Sequence, residues 1–273
     1  MGVKGQVKLM DYKLIAVDMD GTLLNTKSQL TDETVKAVRL AMDRGVKFVL
    51  STGRPYEAIV PFIARLGVEK MPYILYNGAM VMVDGEIIYS CEIDAESALK
   101  IVEEGHKRNA NMICWSKNKL YAEQLNERVI KYKSISDVTP IIVEDLSVVA
   151  TKGLTKFVWL DDIPTTNKNF EELEALLGDK INVHPTRVDF LEFVNKDCSK
   201  ATAMGILEKR YGILNSQTVG VGDGFNDVAM IDYAGLGVAM QNAPDGVKAH
   251  ADMITDSCDN DGVAKLIYKL LNV

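Results

Sequence analysis

The chain has 273 residues, 47% of them hydrophobic and 25% charged, with a formal net charge of -7. That balance belongs to a folded globular chain and excludes a disordered one, and the acidic surplus excludes a general nucleic-acid binder, which needs a basic face. No apolar run reaches bilayer length, and residues 1–10 (MGVKGQVKLM) lack the apolar core of a signal peptide. No membrane partner, a cytoplasmic setting and a short disordered lead-in are therefore expected. Cys91, Cys114, Cys198 and Cys258 are widely spaced, with no C-x-x-C pair, and His106, His184 and His250 form no ligand pattern. This spacing predicts buried free thiols rather than a disulfide frame or a zinc site.

The run Leu14-Ile15-Ala16-Val17 reads as a buried strand that ends at Asp18-Met19-Asp20-Gly21. If the strand continues that far, Asp18 and Asp20 share a face and Met19 offers a backbone N–H. Two acids so close repel unless a cation or a proton lies between them. The plainer alternative is a strand followed by an ordinary polar turn. Thr31, Asp32 and Glu33 open a helix that Gly45 stops, and residues 46–51 form a second strand, giving a β-α-β unit with a parallel sheet. That strand ends in Ser51-Thr52-Gly53-Arg54-Pro55, and Pro55 suits the first turn of a helix running to Leu66. A third strand, Tyr73 to Tyr76, ends in Asn77-Gly78-Ala79. Ligands of open α/β sheets bind at the carboxyl ends of the strands, and three consecutive strands carry polar chemistry there.

The rhythm then changes. Residues 80–89 form a hairpin around Asp84-Gly85, and helices and strands interleave as far as Asp189, with strands at 111–115, 119–122, 156–160 and 181–184 and helices at 95–108, 123–133 and 169–177. Past residues 190–194 the parallel rhythm returns. Ser199 to Tyr211 is a helix with Lys200 in its first turn, where acids are the preferred charge, so Lys200 either faces an anion or, more plainly, is a solvated surface lysine. The next strand ends in Gly222-Asp223-Gly224-Phe225-Asn226-Asp227, followed by a helix at 226–233, strands at 236–240 and 252–254 and a helix at 262–271. The fold class expected is α/β: a Rossmann-like, doubly wound, mainly parallel sheet over residues 1–84 and 190–273, with an α+β domain inserted at 85–189.

Three acids from two loops suit a Mg²⁺ that keeps several waters and binds a phosphate oxygen, and an aspartate can itself attack phosphorus. Thr52, backbone N–H groups and Lys200 would neutralise the phosphate. No G-x-x-x-x-G-K-[ST] loop is present, so a nucleoside-triphosphate P-loop is not indicated.

In this order the motifs resemble those of the haloacid dehalogenase-like phosphohydrolase superfamily, and within it the Cof-type sugar-phosphate phosphatases. D-x-D-G-T-L is met by Asp18 to Leu23, T-G-R-P by Thr52 to Pro55, N-G-A by Asn77 to Ala79 and G-D-x-x-N-D by Gly222 to Asp227. The motif lysine is Lys200, and G-V-A-M-x-N-A and D-G-V-A fall at Gly237 to Ala243 and Asp261 to Ala264. The likeness runs along nearly the whole chain, departing at Gln241 and at Cys258-Asp259-Asn260. It implies Asp18 as nucleophile and Asp20 as the acid that protonates the leaving alcohol and then activates water. It implies Mg²⁺ on the Asp18 carboxylate, the Asp20 backbone carbonyl and Asp223, which replaces both side chains sharing one cation. The phosphoryl group would be held by Met19 N–H, Thr52, Gly53, Lys200 and Asn226, with Asp227 behind the metal or Lys200, and the insert would be a cap that selects the leaving group. The partner implied is a small phosphorylated metabolite, and the state a monomer or small homo-oligomer. Arg54 grips either substrate or loop carbonyls, Asn77-Gly78 lines the site, Arg187 contacts an anion, and His184 is structural. Trp115 and the methionines of residues 80–83 belong to the core. The competing functions are a phosphomutase of the same superfamily and a non-catalytic phospholigand-binding protein.

Overall fold

Leu14–Asp18 forms the central strand, β1, in the computed structural model, which describes residues 12–67 and 70–273. The lead-in expected over 1–10 lies outside them. All five residues of β1 are buried, as a strand covered on both faces requires. The others are β2 (Lys47–Ser51), β3 (Tyr73–Leu75), β4 (Met80–Val83), β5 (Glu86–Ser90), β6 (Met112–Ser116), β7 (Lys119–Ala122), β8 (Ile141–Ile142), β9 (Lys156–Leu160), β10 (Ile181–Arg187), β11 (Phe190–Asn195), β12 (Thr218–Gly222), β13 (Leu236–Met240) and β14 (Met253–Thr255). The core sheet has eight strands in the order β14-β13-β12-β1-β2-β3-β4-β5. It is parallel from β14 to β3 and antiparallel through β4 and β5.

Alternation along β1 decides what each end residue meets. Ile15 and Val17 pack with Val35, Val38, Leu266 and Ile267 of the helices Asp32–Asp43 and Gly262–Leu271. Leu14 and Ala16 face the other way, against Ala203, Met204 and Leu207 of helix Lys200–Tyr211 and Met230 of helix Val228–Tyr233. Asp18 has the parity of Leu14 and Ala16, so it points at the helix that begins with Lys200. That helix starts there because the Ser199 side chain accepts the Thr202 N–H at 3.0 Å, closing its first turn.

The inserted residues build a second sheet of six strands in the order β10-β11-β9-β6-β7-β8. One face packs on helices Ala95–Lys107 and Ile163–Leu177, through Cys114, Phe157, Trp159 and Phe193. The other carries Ile113, Trp115, Val158 and Phe190 toward the core sheet, so the two units share one apolar cluster. The turn between β6 and β7 sits on the core. Asn118 donates to Glu57 at 2.7 Å and accepts from the Tyr76 hydroxyl at 2.7 Å and the Tyr56 N–H at 3.3 Å.

The expected crossing points, 84/85 and 189/190, each fall between the strands of a hairpin. β5 is hydrogen-bonded to β4 and stays with the core sheet, whereas β11 is hydrogen-bonded to β10 and β9 and stays with the insert. The chain therefore changes sheets near residues 91 and 196. The helix expected from Pro55 begins later, as a 3₁₀ turn at Glu57–Ile59 and an α-helix at Val60–Leu66, because Pro61 has no N–H to give and fits only the first turn. Helix Ile163–Leu177 starts six residues ahead of the expected Asn169, capped by Asp162, which accepts the Thr165 N–H at 2.9 Å.

Candidate active site

The carboxyl ends of β1, β2 and β12 and the turn after β3 open into one cleft of about 550 Å³, lined by Asp18, Asp20, Gly53, Arg54, Asn77, Asp223 and Asn226, with His184 and Pro185 of the insert on the far wall. Another depression, of about 510 Å³, is lined by Lys13, Val46 and Lys47 at the opposite end of the sheet, away from these groups.

At the floor of the cleft is a buried ion cluster. Lys200, fully buried, donates through Nζ to Asp18 Oδ1 at 2.5 Å, Asp227 Oδ1 at 2.6 Å and the Ser51 carbonyl at 3.0 Å. Its expected anion is thus two carboxylates of this chain. Asp227 accepts the N–H groups of Asp223 and Gly224 on its other oxygen, at 3.0 and 2.9 Å, so both of its oxygens have partners. Burial opposes the Lys200 cation, but Asp18 and Asp227 outweigh it and hold the ammonium above the ordinary lysine value. Burial pushes the Asp18 carboxyl up to about 8; Lys200 pulls it down, while Asp227 and Asp223 add to the rise. Asp223 is also raised by burial, with the Thr22 hydroxyl, donating at 2.8 Å, acting against it.

Oxygen atoms of Asp18, Asp223 and Asp227 lie within 4.8 Å of one another. Three carboxylates against one ammonium leave an excess of negative charge in a mostly buried space, and all the donors are hard oxygens. The set fits Mg²⁺, with Asp18 and the partly exposed Asp223 as the side chains that would hold it, since Asp227 is taken up by Lys200 and two backbone N–H groups. Gly21 makes room. It lies at φ +81°, and a Cβ there would sit 2.3 Å from Asp223 Oδ2. Asn242 braces the same corner, donating to the Gly21 carbonyl at 2.8 Å and to Asp223 Oδ2 at 3.3 Å.

Asp20 does not share the face of Asp18, because the strand ends at Asp18 and the chain turns, with the Leu23 N–H returning to the Asp18 carbonyl at 3.1 Å. Its side chain is 54% exposed and is gripped by Arg54, Nε to Oδ2 at 2.8 Å and Nη2 to Oδ1 at 2.5 Å. Of the two partners expected for Arg54, substrate or loop carbonyls, its guanidinium is bonded to neither here and holds the second acid instead. The pair forms the border to an adjoining pocket of about 310 Å³, walled by Tyr132, Ile135, Lys156, Arg187, Phe190 and Glu192 of the insert.

Of the other residues expected at the site, Thr52 is buried and its hydroxyl accepts the Arg54 N–H at 3.1 Å. Asn77 sits at φ +57° and accepts from Asn226 Nδ2 at 3.2 Å. The Met19 side chain is buried in the core. Gly78 lies behind the site, against the Ser199 carbonyl, where it lets the Lys200 helix approach. Arg187 lines the adjoining pocket and stacks 5.2 Å over Phe190. His184 is held down by burial and its Nδ1 has no partner.

The sequence reading assigned no role to Thr22, Asn242, Lys156 or Glu192. The first two sit inside recognised motifs, so their polar types next to Asp-x-Asp and Met-x-Asn were available signals. Lys156 and Glu192 form a buried ion pair at 2.9 Å across 36 positions. Only the β9–β11 register, with Glu192 opposite Val158, places them on one face.

Residues 15–267 match the family of haloacid dehalogenase-like hydrolases. The 5-amino-6-(5-phospho-D-ribitylamino)uracil phosphatase YcsE of Bacillus subtilis is 33% identical over 265 residues, covering 94% of this chain and 95% of that one. Among solved structures, TM0651 from Thermotoga maritima matches with a TM-score of 0.88 at 28% identity, over 94% of this chain and 97% of the other. The HAD subclass IIB sugar phosphatase BT4131 matches with a TM-score of 0.81 at 25% identity, over 96% and 100%. With its family match, its strand order and its ordered motifs in one cleft, the chain belongs to the haloacid dehalogenase-like hydrolases and, among them, to the Cof-type phosphatases.

Proposed function

We propose that the protein hydrolyses small phosphate monoesters, sugar and polyol phosphates foremost, with Mg²⁺ and through an aspartyl-phosphate on Asp18. The observation that carries this is the unequal setting of the two acids. Asp18 is buried against Lys200, whereas Asp20 stands at the border of the leaving-group pocket, held by Arg54. Two acids in different surroundings can take different roles.

The Asp18 carboxylate attacks phosphorus as the bond to the leaving oxygen breaks, and Asp20 gives that oxygen its proton. Asp20, now ionised, takes a proton from water, whose oxygen attacks phosphorus, releases inorganic phosphate and restores Asp18. Lys200 counters the charge on Asp18 and the phosphoryl oxygens and is itself held by Asp227. Thr52, the N–H groups of Met19 and Gly53, and Asn226 with Asn77 hold those oxygens in line. When bound, Mg²⁺ supplies further neutralisation of the transferring group. It would be held by Asp18, Asp223 and the Asp20 carbonyl.

The insert serves as the cap. Its pocket combines the rings of Tyr132 and Phe190 with Lys156, Glu192 and Arg187, a lining suited to a leaving group with hydroxyls on a carbon frame. A relative named for a phosphorylated ribityl substrate and a neighbour named a sugar phosphatase support that class. The test is release of inorganic phosphate from a panel of sugar and polyol phosphates, with and without Mg²⁺, by the natural chain and by Asp18→Asn. Phosphate is expected in the first case alone. Undiminished turnover by Asp18→Asn, or transfer of phosphate within the sugar without release, overturns the reading.

A further inference from the structure

The two connections between the core sheet and the insert run side by side, and each carries a cysteine. Cys91 directly follows β5 and Cys198 stands two residues ahead of Lys200. Asn195 Nδ2 ties one connection to the other by donating to the Glu92 carbonyl at 2.8 Å. The Cys91 N–H is anchored on the Ala79 carbonyl at 2.7 Å and the Cys198 N–H on the Asn195 carbonyl at 3.1 Å. Between these anchors the side chains meet. The Cys198 thiol donates to the Cys91 carbonyl at 3.4 Å, which sets the two cysteines against each other.

Both are half-buried, open to a small reagent, whereas Cys114 and Cys258 are buried apart in the two apolar clusters. The proposed phosphoryl chemistry uses neither Cys91 nor Cys198. The hydrogen bond from Cys198 brings the Cys91 thiol down to about 7, against the opposing effect of burial and with help from Tyr89, while Cys198 is pushed up. Cys198, whose thiol is already engaged as a donor to the Cys91 carbonyl, keeps its proton the more firmly, and Cys91 is the thiol that ionises more readily.

We propose that Cys91 and Cys198 form a site of oxidative modification that takes hydrogen peroxide and closes to a disulfide across the two connections. The Cys91 thiolate attacks a peroxide oxygen, the O–O bond breaks, and a sulfenic acid forms while the departing oxygen leaves as water after taking up a proton. The Cys198 sulfur then attacks the Cys91 sulfur, the S–O bond breaks, and the leaving hydroxide takes the Cys198 proton as a second water. The two thiols lose two electrons in all, and the peroxide gains them. The crosslink spans 107 positions and restrains both connections together with the segment entering Lys200. Its effect on turnover rests on the phosphatase reading; its formation does not.

The reduced full chain is treated with hydrogen peroxide, alkylated and digested with trypsin. Expected is peptide 71–100 joined to peptide 197–200, two hydrogens lighter than their sum and separated by dithiothreitol, with Cys114 and Cys258 alkylated. Cys198→Ser is expected to stop at a sulfenic acid on Cys91 that dimedone captures, and Cys91→Ser to slow oxidation of Cys198 roughly tenfold or more. Cys91 and Cys198 both still alkylated after the treatment, or Cys91 joined to Cys114 or Cys258, overturns the proposal. These masses are read in the natural chain whether or not it turns over substrate, so failure here leaves the phosphatase reading intact and the reverse also holds. In the linked form phosphate release is expected to fall and to return with dithiothreitol; equal turnover of linked and reduced chains overturns the restraint on the site.

Discussion

Arg54 holds both carboxylate oxygens of Asp20, through Nε at 2.8 Å and Nη2 at 2.5 Å, and its guanidinium lies 5.3 Å from the centre of the Phe62 ring. The second acid is thus aimed by a planar fork that is itself braced by a ring. A lysine reaches the same charge but cannot span both oxygens. Arg54→Lys is expected to lower kcat/KM about tenfold and Arg54→Ala about a hundredfold, the scale of a misaimed catalytic group. Steady-state kinetics on p-nitrophenyl phosphate and on the best sugar phosphate measure this, and natural rates in Arg54→Ala would remove Arg54 from any aiming role.

With Mg²⁺ held as proposed, metal binding and pH are expected to be coupled through Asp18. Its folded value of about 8, raised by burial, lies above the roughly 3.9 of an unfolded aspartate. Between those values the folded chain binds more protons than the unfolded one, so the stability that this group contributes falls as pH rises from about 4 to about 8. A cation favours the ionised carboxylate and cancels the loss. The gap in thermal midpoint between Mg²⁺-saturated and EDTA-treated protein is therefore expected to widen from pH 5 to pH 8. A gap of equal size at both pH values would count against a cation at Asp18.

Lys156 and Glu192 are both under a tenth exposed and have each other as a charged partner at 2.9 Å. Removing one charge strands the other, which costs about 3–5 kcal/mol, whereas replacing both with apolar residues of like volume is close to neutral. Lys156→Met and Glu192→Leu are each expected to lower stability by that amount in urea unfolding, and the double variant by much less. Because the pair lines the pocket proposed for the leaving group, the double variant should raise KM for sugar phosphates while sparing p-nitrophenyl phosphate. Equal losses on both substrates would place the pair outside selection.

Gly78 sits at φ +101°, and a Cβ there would lie 2.1 Å from the Ser199 carbonyl, the cap of the helix that begins with Lys200. Gly78→Ala combines about 1–3 kcal/mol of backbone strain with a displaced helix start. Gly85, at φ +82° with open space around it, isolates the strain alone. Both variants should lose stability by chemical denaturation, Gly78→Ala by more, and only Gly78→Ala should also lose turnover. Matching behaviour of the two would argue that the Ser199 approach is unimportant.

The core was readable wherever one stretch of chain carried its own signal. The apolar run of β1, the Asp84-Gly85 turn and the Ser199 start each depend on neighbouring residues, and each was found as expected. What needed pairing between distant segments was not readable. The β11–β9 pairing that keeps residues 190–195 with the insert, and the Lys156–Glu192 pair, exist only through strand register. Arg54 lay between these cases. Its place beside Thr52 marked it as a site residue, but that it meets Asp20 depends on how the chain turns after Asp18.

The position of β1 between β2 and β12 has a consequence for how the protein comes into being. One edge of β1 is paired by residue 51, but the other waits for Thr218–Gly222, two hundred positions later on the chain. Until those residues leave the ribosome, the strand that ends in Asp18 presents a bare, apolar hydrogen-bonding edge, and Asp223 and Asp227 have not arrived. No amino-terminal fragment, however well its first half folds, can assemble the acid cluster. The acid cluster is completed late in synthesis, once Asp223 and Asp227 have joined Asp18 and Lys200.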